Sequence, residues 1–310
     1  MKKEIKNALA KKIIVGILLT IFLAITLYLL IQGILCIDGI KKANAKLDSY
    51  NAKTANLSYG QITYVDEGQG ETILSVHGIF GGYDQAYDSV KNRKDKNRLL
   101  APSRFGYLSS TVKGEGTPQE QAKAFNEFLD YLKIDKVFVL ATSAGGTPGI
   151  RFALDYPERV KGLILFCSAM PVNEKPDNFL EYQAPPKPLI SDYGMHLISP
   201  LFPSMMKMPI STAKDIQPVS KRKTGVILDG ELTNPDMERH FEKYPIEQLQ
   251  VPTLILHSEN DPIASFEKVE KAKHRFPDLT LVSFPDGGHM MQGHGEEIDL
   301  ALDVFLDKYK

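Results

Sequence analysis

The chain has 310 residues, 43% of them hydrophobic and 24% charged, and its 37 basic and 38 acidic residues leave a net charge of −1. This composition is typical of a globular protein and excludes a disordered or fibrous chain. Because no long basic run lies outside the N-terminus, we expect no nucleic-acid partner. The length fits one α/β domain with an insertion.

An uncharged apolar segment covers residues 13–35. As a helix it would be about 35 Å long, enough to cross a hydrocarbon core of roughly 30 Å. Residues 1–12 carry five lysines and one glutamate, which favours a cytoplasmic N-terminus. The sequence therefore predicts a basic cytoplasmic N-terminus, a single-pass transmembrane helix over 13–35, a stalk or helical extension over 36–53, and a domain on the outer face of the cell membrane.

Other interpretations of this segment are less favoured. A cleaved secretory signal would have an apolar run of about 7 to 15 residues and a small-residue cleavage site, and this segment has neither. Leu35 stands where a lipoprotein signal would have a small residue, so Cys36 is expected to be an apolar residue at the helix end. The lysines beyond the segment weaken the charge bias: Lys41, Lys42 and Lys46.

Strand and helix patterns alternate after the stalk. Residues 57–65 predict two short strands about a tight turn. Apolar runs ending in turn residues follow at 71–78, 97–103, 136–143, 160–169, 251–258 and 279–285. Segments with helical periodicity lie between them at 118–132, 147–156, 263–276 and 296–309. Strands that are apolar throughout are typical of a mostly parallel sheet covered by helices on both faces, so we predict an α/β fold over residues 54–310.

The alternation stops between about residues 171 and 250, where a proline-rich stretch is followed by a methionine-rich one. We interpret this block as a cap inserted into the α/β domain.

A serine stands at the sharpest strand-to-helix transition, in VLATSAGG (139–146). At such a turn the strand and helix backbones approach closely, so the positions two before and two after the nucleophile must be small. Ala141 and Gly145 meet this condition. Ser143 is therefore the candidate nucleophile, although the same pattern is compatible with an ordinary turn.

The glycine-rich segment HGIFGG (77–82) follows the first long apolar strand. A tetrahedral intermediate needs backbone N–H groups directed at its oxyanion, and Ile79 and Ala144 are the candidates. For His77 we favour a structural role in bracing this loop over a catalytic or metal-binding role.

Two further strands end in the residues that a serine nucleophile needs. Asp261 follows one strand and His289 follows the next, both at the strand ends where open α/β sheets bind ligands. His289 would take the Ser143 proton, and Asp261 would orient His289. The alternative base is His294, and the alternative acids are Glu259 and Asp286. No metal or cofactor is expected, because the other histidines have no partner at metal-ligand spacing: His196, His240, His257 and His274.

These motifs together resemble the α/β-hydrolase superfamily across residues 57–310. HGIFGG is similar to the family's oxyanion loop, SRFGYLSS (103–110) to its next loop, ATSAGG to its nucleophile elbow, SENDPI to its acid turn and PDGGHM to its histidine loop. The resemblance implies the α/β-hydrolase fold with a cap at about 171–250. Ala141 replaces a usual glycine and Phe105 stands where proline is common, and neither removes a catalytic group.

The superfamily includes esterases, lipases, peptidases and inactive relatives. A serine nucleophile argues against its dehalogenase and epoxide-hydrolase branches, which use aspartate. We expect a membrane-anchored hydrolase of a carboxylic ester with an apolar or lipid-like acyl group, contacted by Phe80, Met205 and Met206. The alternatives are a non-catalytic binding module and a proline-type aminopeptidase or other amidase. The aminopeptidase would use acidic residues of the cap: Glu174, Asp177, Glu181 and Asp192.

Overall fold

A computed structural model of the protein describes residues 1–209 and 211–310, apart from the side chains of residues 2–4, 8 and 213. Its centre is an eight-stranded sheet in the order β1-β2-β4-β3-β5-β6-β7-β8. The strands are β1 (Lys53–Leu57), β2 (Gly60–Glu67), β3 (Glu71–Val76), β4 (Asn97–Pro102), β5 (Val137–Thr142), β6 (Val160–Phe166), β7 (Thr253–Ser258) and β8 (Leu279–Phe284). The β1/β2 and β2/β4 pairs are antiparallel and all other neighbours are parallel. The predicted hairpin and the six predicted apolar strands are confirmed.

Helices cover both faces of the sheet. The α-helices of the described residues are α1 (Lys2–Asp48), α2 (Tyr83–Asp88), α3 (Pro118–Tyr131), α4 (Gly146–Asp155), α5 (Asp192–Ile198), α6 (Phe202–Met206), α7 (Thr212–Asp215), α8 (Lys223–Leu228), α9 (Asp236–Arg239), α10 (Phe266–Ala272) and α11 (Gly295–Lys308). The short helices α5 to α9 lie between β6 and β7, in the region that the sequence predicts as a cap.

The central strand β5 shows why these apolar runs become strands. Val139 belongs to the core on the face that also holds Phe125 of α3. Its neighbour Phe138 belongs to the core on the other face, with Phe305 of α11. Successive side chains of a strand point to opposite faces, so a strand that is covered on both sides must be apolar at every position.

The helix α1 is continuous through the predicted membrane segment and most of the predicted stalk. The part of α1 that follows the predicted membrane segment, up to Asp48, is not a free stalk, because α1 packs against α5 and α7. Cys36 is buried, and Leu47 is buried in the hydrophobic cluster that contains Val65 and Tyr83 of the main domain. The helix is long and apolar enough to cross a membrane, and its most apolar stretch is not covered by the rest of the protein.

A buried ion pair joins the cap to the loop that follows β3. Arg222, at the start of α8, is fully buried and bonds both carboxylate oxygens of Asp84, at 3.0 and 2.6 Å. The same guanidinium donates to the backbone carbonyls of Gly81 and Gln217. Three of these four hydrogen bonds hold the cap against the loop after β3 and the start of α2, and the bond to Gln217 lies within the cap.

We predict that Arg222→Ala lowers the free energy of unfolding by about 3–5 kcal/mol, because the Asp84 carboxylate stays buried without its partner. The measurement is urea unfolding of the full-length protein in detergent micelles, followed by circular dichroism. The matched control is Lys187→Ala, which removes an exposed pair with Glu231 and should change stability little. Equal losses in the two variants would contradict the importance of the buried pair.

Candidate active site

Ser143 occupies a strained turn between β5 and α4. Its φ angle is +51°, in the left-handed region that non-glycine residues rarely adopt. Holding a residue there costs of order 1–3 kcal/mol, which the surrounding packing must offset. The turn leaves the serine side chain partly exposed above the otherwise buried end of β5.

The glycines around this turn are required by close backbone contacts. A Cβ at Gly145 would lie 2.5 Å from the carbonyl oxygen of Val76, and one at Gly146 would lie 1.8 Å from Ser168 Oγ. Ala141 stands where the family pattern has glycine. Its methyl group fits because the facing residue is Gly149, where a Cβ would lie 2.6 Å from it.

The structure brings the three predicted triad residues into one hydrogen-bonded chain. His289 Nε2 lies 3.0 Å from Ser143 Oγ, and His289 Nδ1 lies 2.7 Å from Asp261 Oδ2. His289 and Asp261 are both buried. This geometry allows the imidazole to receive the hydroxyl proton while the carboxylate fixes the tautomer of the ring.

The Asp261 carboxylate is held in its ionised form. Burial alone would raise its pKa, but hydrogen bonds from His257 and His289 outweigh burial and hold the Asp261 pKa well below its usual range. The backbone N–H groups of Ile263 and Ala264 donate to the other carboxylate oxygen at 2.8 and 3.0 Å. Asp261 is therefore a charged acceptor across the physiological pH range.

Two residues that the sequence patterns do not identify support the triad. His257 Nε2 lies 2.7 Å from the carbonyl oxygen of Ala264 and 3.4 Å from Asp261 Oδ2. Because a carbonyl only accepts, Nε2 carries the proton. Asn260 accepts hydrogen bonds from Ser258 and from the Gly288 backbone N–H, which joins the acid loop to the histidine loop. The i, i+4 spacing of His257 and Asp261 at a strand end is the available sequence signal.

The alternative acids and base are engaged elsewhere. His294 Nε2 lies 2.8 Å from Asp286 Oδ1, and the ring stacks on Phe284. Glu259 accepts a hydrogen bond from Ser283 at 3.0 Å. These contacts direct the three side chains away from the Ser143 hydroxyl.

His77 braces the loop after β3, as the sequence predicts. The Arg104 backbone N–H donates to His77 Nε2 at 2.8 Å, so the proton lies on Nδ1, which donates to the Gly78 carbonyl at 2.7 Å. Burial, followed by the neighbouring Arg104 guanidinium, lowers the His77 pKa well below its usual value. A neutral histidine with both nitrogens bonded to backbone is a structural residue.

A second buried ion pair links this loop to the cap. The Arg104 guanidinium donates to both carboxylate oxygens of Asp229 at 2.6 Å and to the Gly78 carbonyl at 3.2 Å. The Tyr107 hydroxyl donates to the same carboxylate at 2.5 Å. The predicted oxyanion loop is therefore held in place from the cap side by a charged network.

Ser143 opens into a cavity of about 450 Å³ between the sheet edge and the cap. Ile79 and Ala144, whose backbone N–H groups are the predicted oxyanion donors, both line it. So do Phe80 and Met206. The remaining apolar lining comes largely from methionines and a phenylalanine: Met170, Met195, Phe202, Met208, Met237 and Met290.

Met205 does not contact the cavity, so the prediction that it binds the acyl group is wrong. Its side chain is 65% exposed, and it is not part of the cavity wall formed by residues 1–209 and 211–310. On α6, Phe202 and Met206 are four residues apart and share the face toward the cavity. Met205 precedes Met206 by about 100° of helix rotation and lies on the outer surface.

Two family models match the chain. One, described as alpha/beta hydrolase fold, covers residues 71–192, and one described as serine hydrolase covers residues 220–298. With its sheet order and site, the chain belongs to the α/β-hydrolase superfamily, and it is a hydrolase of that family.

Similar proteins match more than three quarters of the chain. The Uncharacterized hydrolase YcgS of Bacillus subtilis is 25% identical over 264 residues, which is 77% of this chain and 92% of that protein. Haloalkane dehalogenase 2 of Mycobacterium tuberculosis is 26% identical over 263 residues, 80% of this chain and 91% of that protein. The structure of a thermophilic esterase from Thermogutta terrifontis is 20% identical with a TM-score of 0.66, over 84% of this chain and 99% of the esterase, which supports the fold.

We predict that the contribution of Asp261 to stability decreases in acid. Its pKa is depressed in the folded protein, so its stabilising contacts are complete above the ordinary aspartate pKa of about 3.9 and are lost as the pH falls toward the folded pKa. The difference in free energy of unfolding between the wild type and Asp261→Asn should shrink between about pH 6 and about pH 3. Urea unfolding of the full-length protein in detergent measures it.

The control is Asp286→Asn, which replaces an exposed carboxylate. A wild-type-to-Asp261→Asn difference that stays constant with pH would show that the Asp261 pKa is not depressed.

Proposed function

We propose that this protein is a membrane-anchored serine hydrolase that cleaves a carboxylic ester with an apolar acyl group. The observation that carries the proposal is the hydrogen-bonded chain from Asp261 through His289 to Ser143, which ends in a largely apolar cavity. A serine hydroxyl bonded to an oriented histidine is the arrangement that activates a weak nucleophile.

Acylation begins when Ser143 Oγ attacks the ester carbonyl carbon and its proton passes to His289 Nε2. The carbonyl oxygen becomes an oxyanion, and the backbone N–H groups of Ile79 and Ala144 are proposed to stabilise it. When the tetrahedral intermediate collapses, the bond to the alcohol oxygen breaks and His289 donates its proton to that oxygen. The products of this step are the free alcohol and an acyl ester on Ser143.

Deacylation repeats the sequence with water as nucleophile. His289 Nε2 takes a proton from the water, whose oxygen attacks the acyl carbon, and then returns the proton to Ser143 Oγ as the carboxylic acid leaves. Asp261 stays ionised and stabilises the imidazolium in both steps. The reaction needs no cofactor.

The cavity wall supports an apolar acyl group. Phe80 and Met206 lie in it, together with Phe202. Methionine side chains are flexible and polarizable, so they adapt to acyl chains of different shape. At about 450 Å³ the cavity lies in the range of small-molecule sites.

The cavity lining does not favour the alternative of a proline-type aminopeptidase. The cavity lining that the described residues form contains none of the four acidic cap residues that it required. Glu238 is a carboxylate in the lining, but it bonds Lys268 at 2.9 Å and Gln183 at 3.0 Å. A substrate ammonium would have to displace the lysine. The substrate named for the dehalogenase relative is not carried over, because Ser143 stands where that branch uses aspartate.

Residues 13–35 within α1 support an anchor rather than a soluble helix. The outward-facing side chains along this segment are apolar and remain uncovered by the domain, for instance Leu18 at 60% and Phe22 at 64% exposure. The lysines of residues 1–12 support a cytoplasmic N-terminus and a catalytic domain on the outer face.

We predict a preference for medium or long acyl chains in p-nitrophenyl ester hydrolysis by the full-length protein in detergent. Met206→Ala should lower kcat/KM for the octanoate ester about tenfold relative to the acetate ester, because it removes apolar contact with the chain alone. The matched control is the outward-facing Met205→Ala, which should leave the ratio unchanged.

Ser143→Ala should abolish turnover of every ester in the series. Turnover that survives Ser143→Ala would contradict the proposed mechanism, and an unchanged octanoate-to-acetate ratio in Met206→Ala would contradict the proposed acyl site.

A further inference from the structure

The cap is attached to α1 inside the predicted membrane span. The Tyr193 hydroxyl on α5 donates to the backbone carbonyl of Leu29 at 2.8 Å. One turn further along, His196 Nε2 lies 2.9 Å from Gln32 Oε1. Cys36 is 5% exposed. The contact of α1 with the cap therefore begins at residue 29, about 9 Å before the end of the apolar segment at residue 35.

The length of the uncovered helix decides where the membrane must end. Residues 13–28 span only about 24 Å as a helix, whereas the hydrocarbon core is roughly 30 Å thick. Lys11 and Lys12 bound the segment on its N-terminal side. Because the uncovered part is about 6 Å too short, at least residues 29–32 must lie in the bilayer to complete the span, and the part of the cap that contacts Leu29 and Gln32 lies at the same depth.

The amino-acid composition of cap residues 193–206 is compatible with a position inside the bilayer. Residues 193–206 contain no Asp, Glu, Lys or Arg. Leu201 is 50% exposed and Met205 is 65% exposed, with exposed prolines beside them. Leu300 is as exposed as Met205, but it lies among the charged residues of α11, whereas residues 193–206 carry no charge at all. Exposed apolar side chains on an uncharged surface are typical of a membrane contact.

The other side of the same segment forms the cavity wall through Met195, Phe202 and Met206. Lys207, the residue directly after this segment, reaches the histidine loop, where a Cβ at Gly288 would lie 2.6 Å from the Lys207 carbonyl oxygen. The segment thus extends from the membrane helix to the residue beside His289.

We propose that cap residues 193–206 are seated in the outer leaflet of the membrane, so that the cavity takes its ester substrate from the bilayer, as an amphiphile whose acyl chain is already in lipid. This inference rests on the proposed membrane anchor and names the source of the substrate. The polar domain beyond it stays in water: Lys46, about 16 Å past residue 35 on α1, pairs with Asp88 and Asp215.

The absence of tryptophan from the sequence allows a direct test. Leu201→Trp and Met205→Trp each give a full-length protein with one tryptophan in the proposed membrane surface. Each variant is reconstituted into phosphatidylcholine vesicles with or without bromine on the acyl chains, and tryptophan emission is compared. Phe22→Trp marks the span. Leu300→Trp, on the exposed face of α11, is the matched aqueous control.

The expected result is a large loss of emission in brominated vesicles for Leu201→Trp, Met205→Trp and Phe22→Trp, and none for Leu300→Trp. Quenching of Phe22→Trp without quenching at either cap position would overturn the proposal. So would an unquenched Phe22→Trp, because the anchor would not be in the bilayer. Ester hydrolysis measured on the same vesicles reports the catalytic assignment separately.

Discussion

The close approach of the Ser143 turn to the loop after β3, at the end of β5, is the constraint on which the site depends. The turn at Ser143 packs against the loop after β3, where a Cβ at Gly145 would lie 2.6 Å from the His77 carbonyl oxygen. This approach forces Ser143 to a φ of +51° and lifts its hydroxyl out of the sheet edge. It also brings the two predicted oxyanion donors beside the same cavity. The strain at one residue is thus offset by the packing of the whole sheet edge.

Charged networks extend this rigidity into the cap. Arg104, after β4, pairs with Asp229 of the cap, and Arg222 of the cap pairs with Asp84 of α2, both as buried, bidentate pairs. Each guanidinium also donates to a backbone carbonyl of the loop after β3. The cap in turn contacts α1 from residue 29 onward. The loop after β3, the cap and α1 are therefore one connected unit, and α1 fixes the position of the cavity relative to its own apolar segment.

The sequence predicts the α/β core well because a doubly covered strand must be apolar at every position, as in β5. It also identifies Ser143, Asp261 and His289 as candidates, because each follows such a strand. It does not predict the cap helices, whose short segments lack a clear period. Nor does it predict the direction of a side chain on a short helix, which is why Met205 was expected in the cavity and faces outward instead.

The sequence also does not predict the contacts between residues that are far apart in the chain. The residues of the pairs Arg104–Asp229 and Arg222–Asp84 are more than 100 positions apart, so no local pattern connects them. The same holds for the contact of Tyr193 with Leu29. These contacts become visible only when the fold has brought their elements together.

The central claim is that Ser143 is a nucleophile activated by His289. The most direct measurement is labelling of the full-length protein in detergent with a fluorophosphonate probe, followed by mass spectrometry of the tryptic peptide VFVLATSAGGTPGIR (137–151). We predict one phosphonate on Ser143 in the wild type, with labelling lost in Ser143→Ala and strongly reduced in His289→Ala. A folded wild-type protein that is unlabelled, or labelled at another residue, would contradict it.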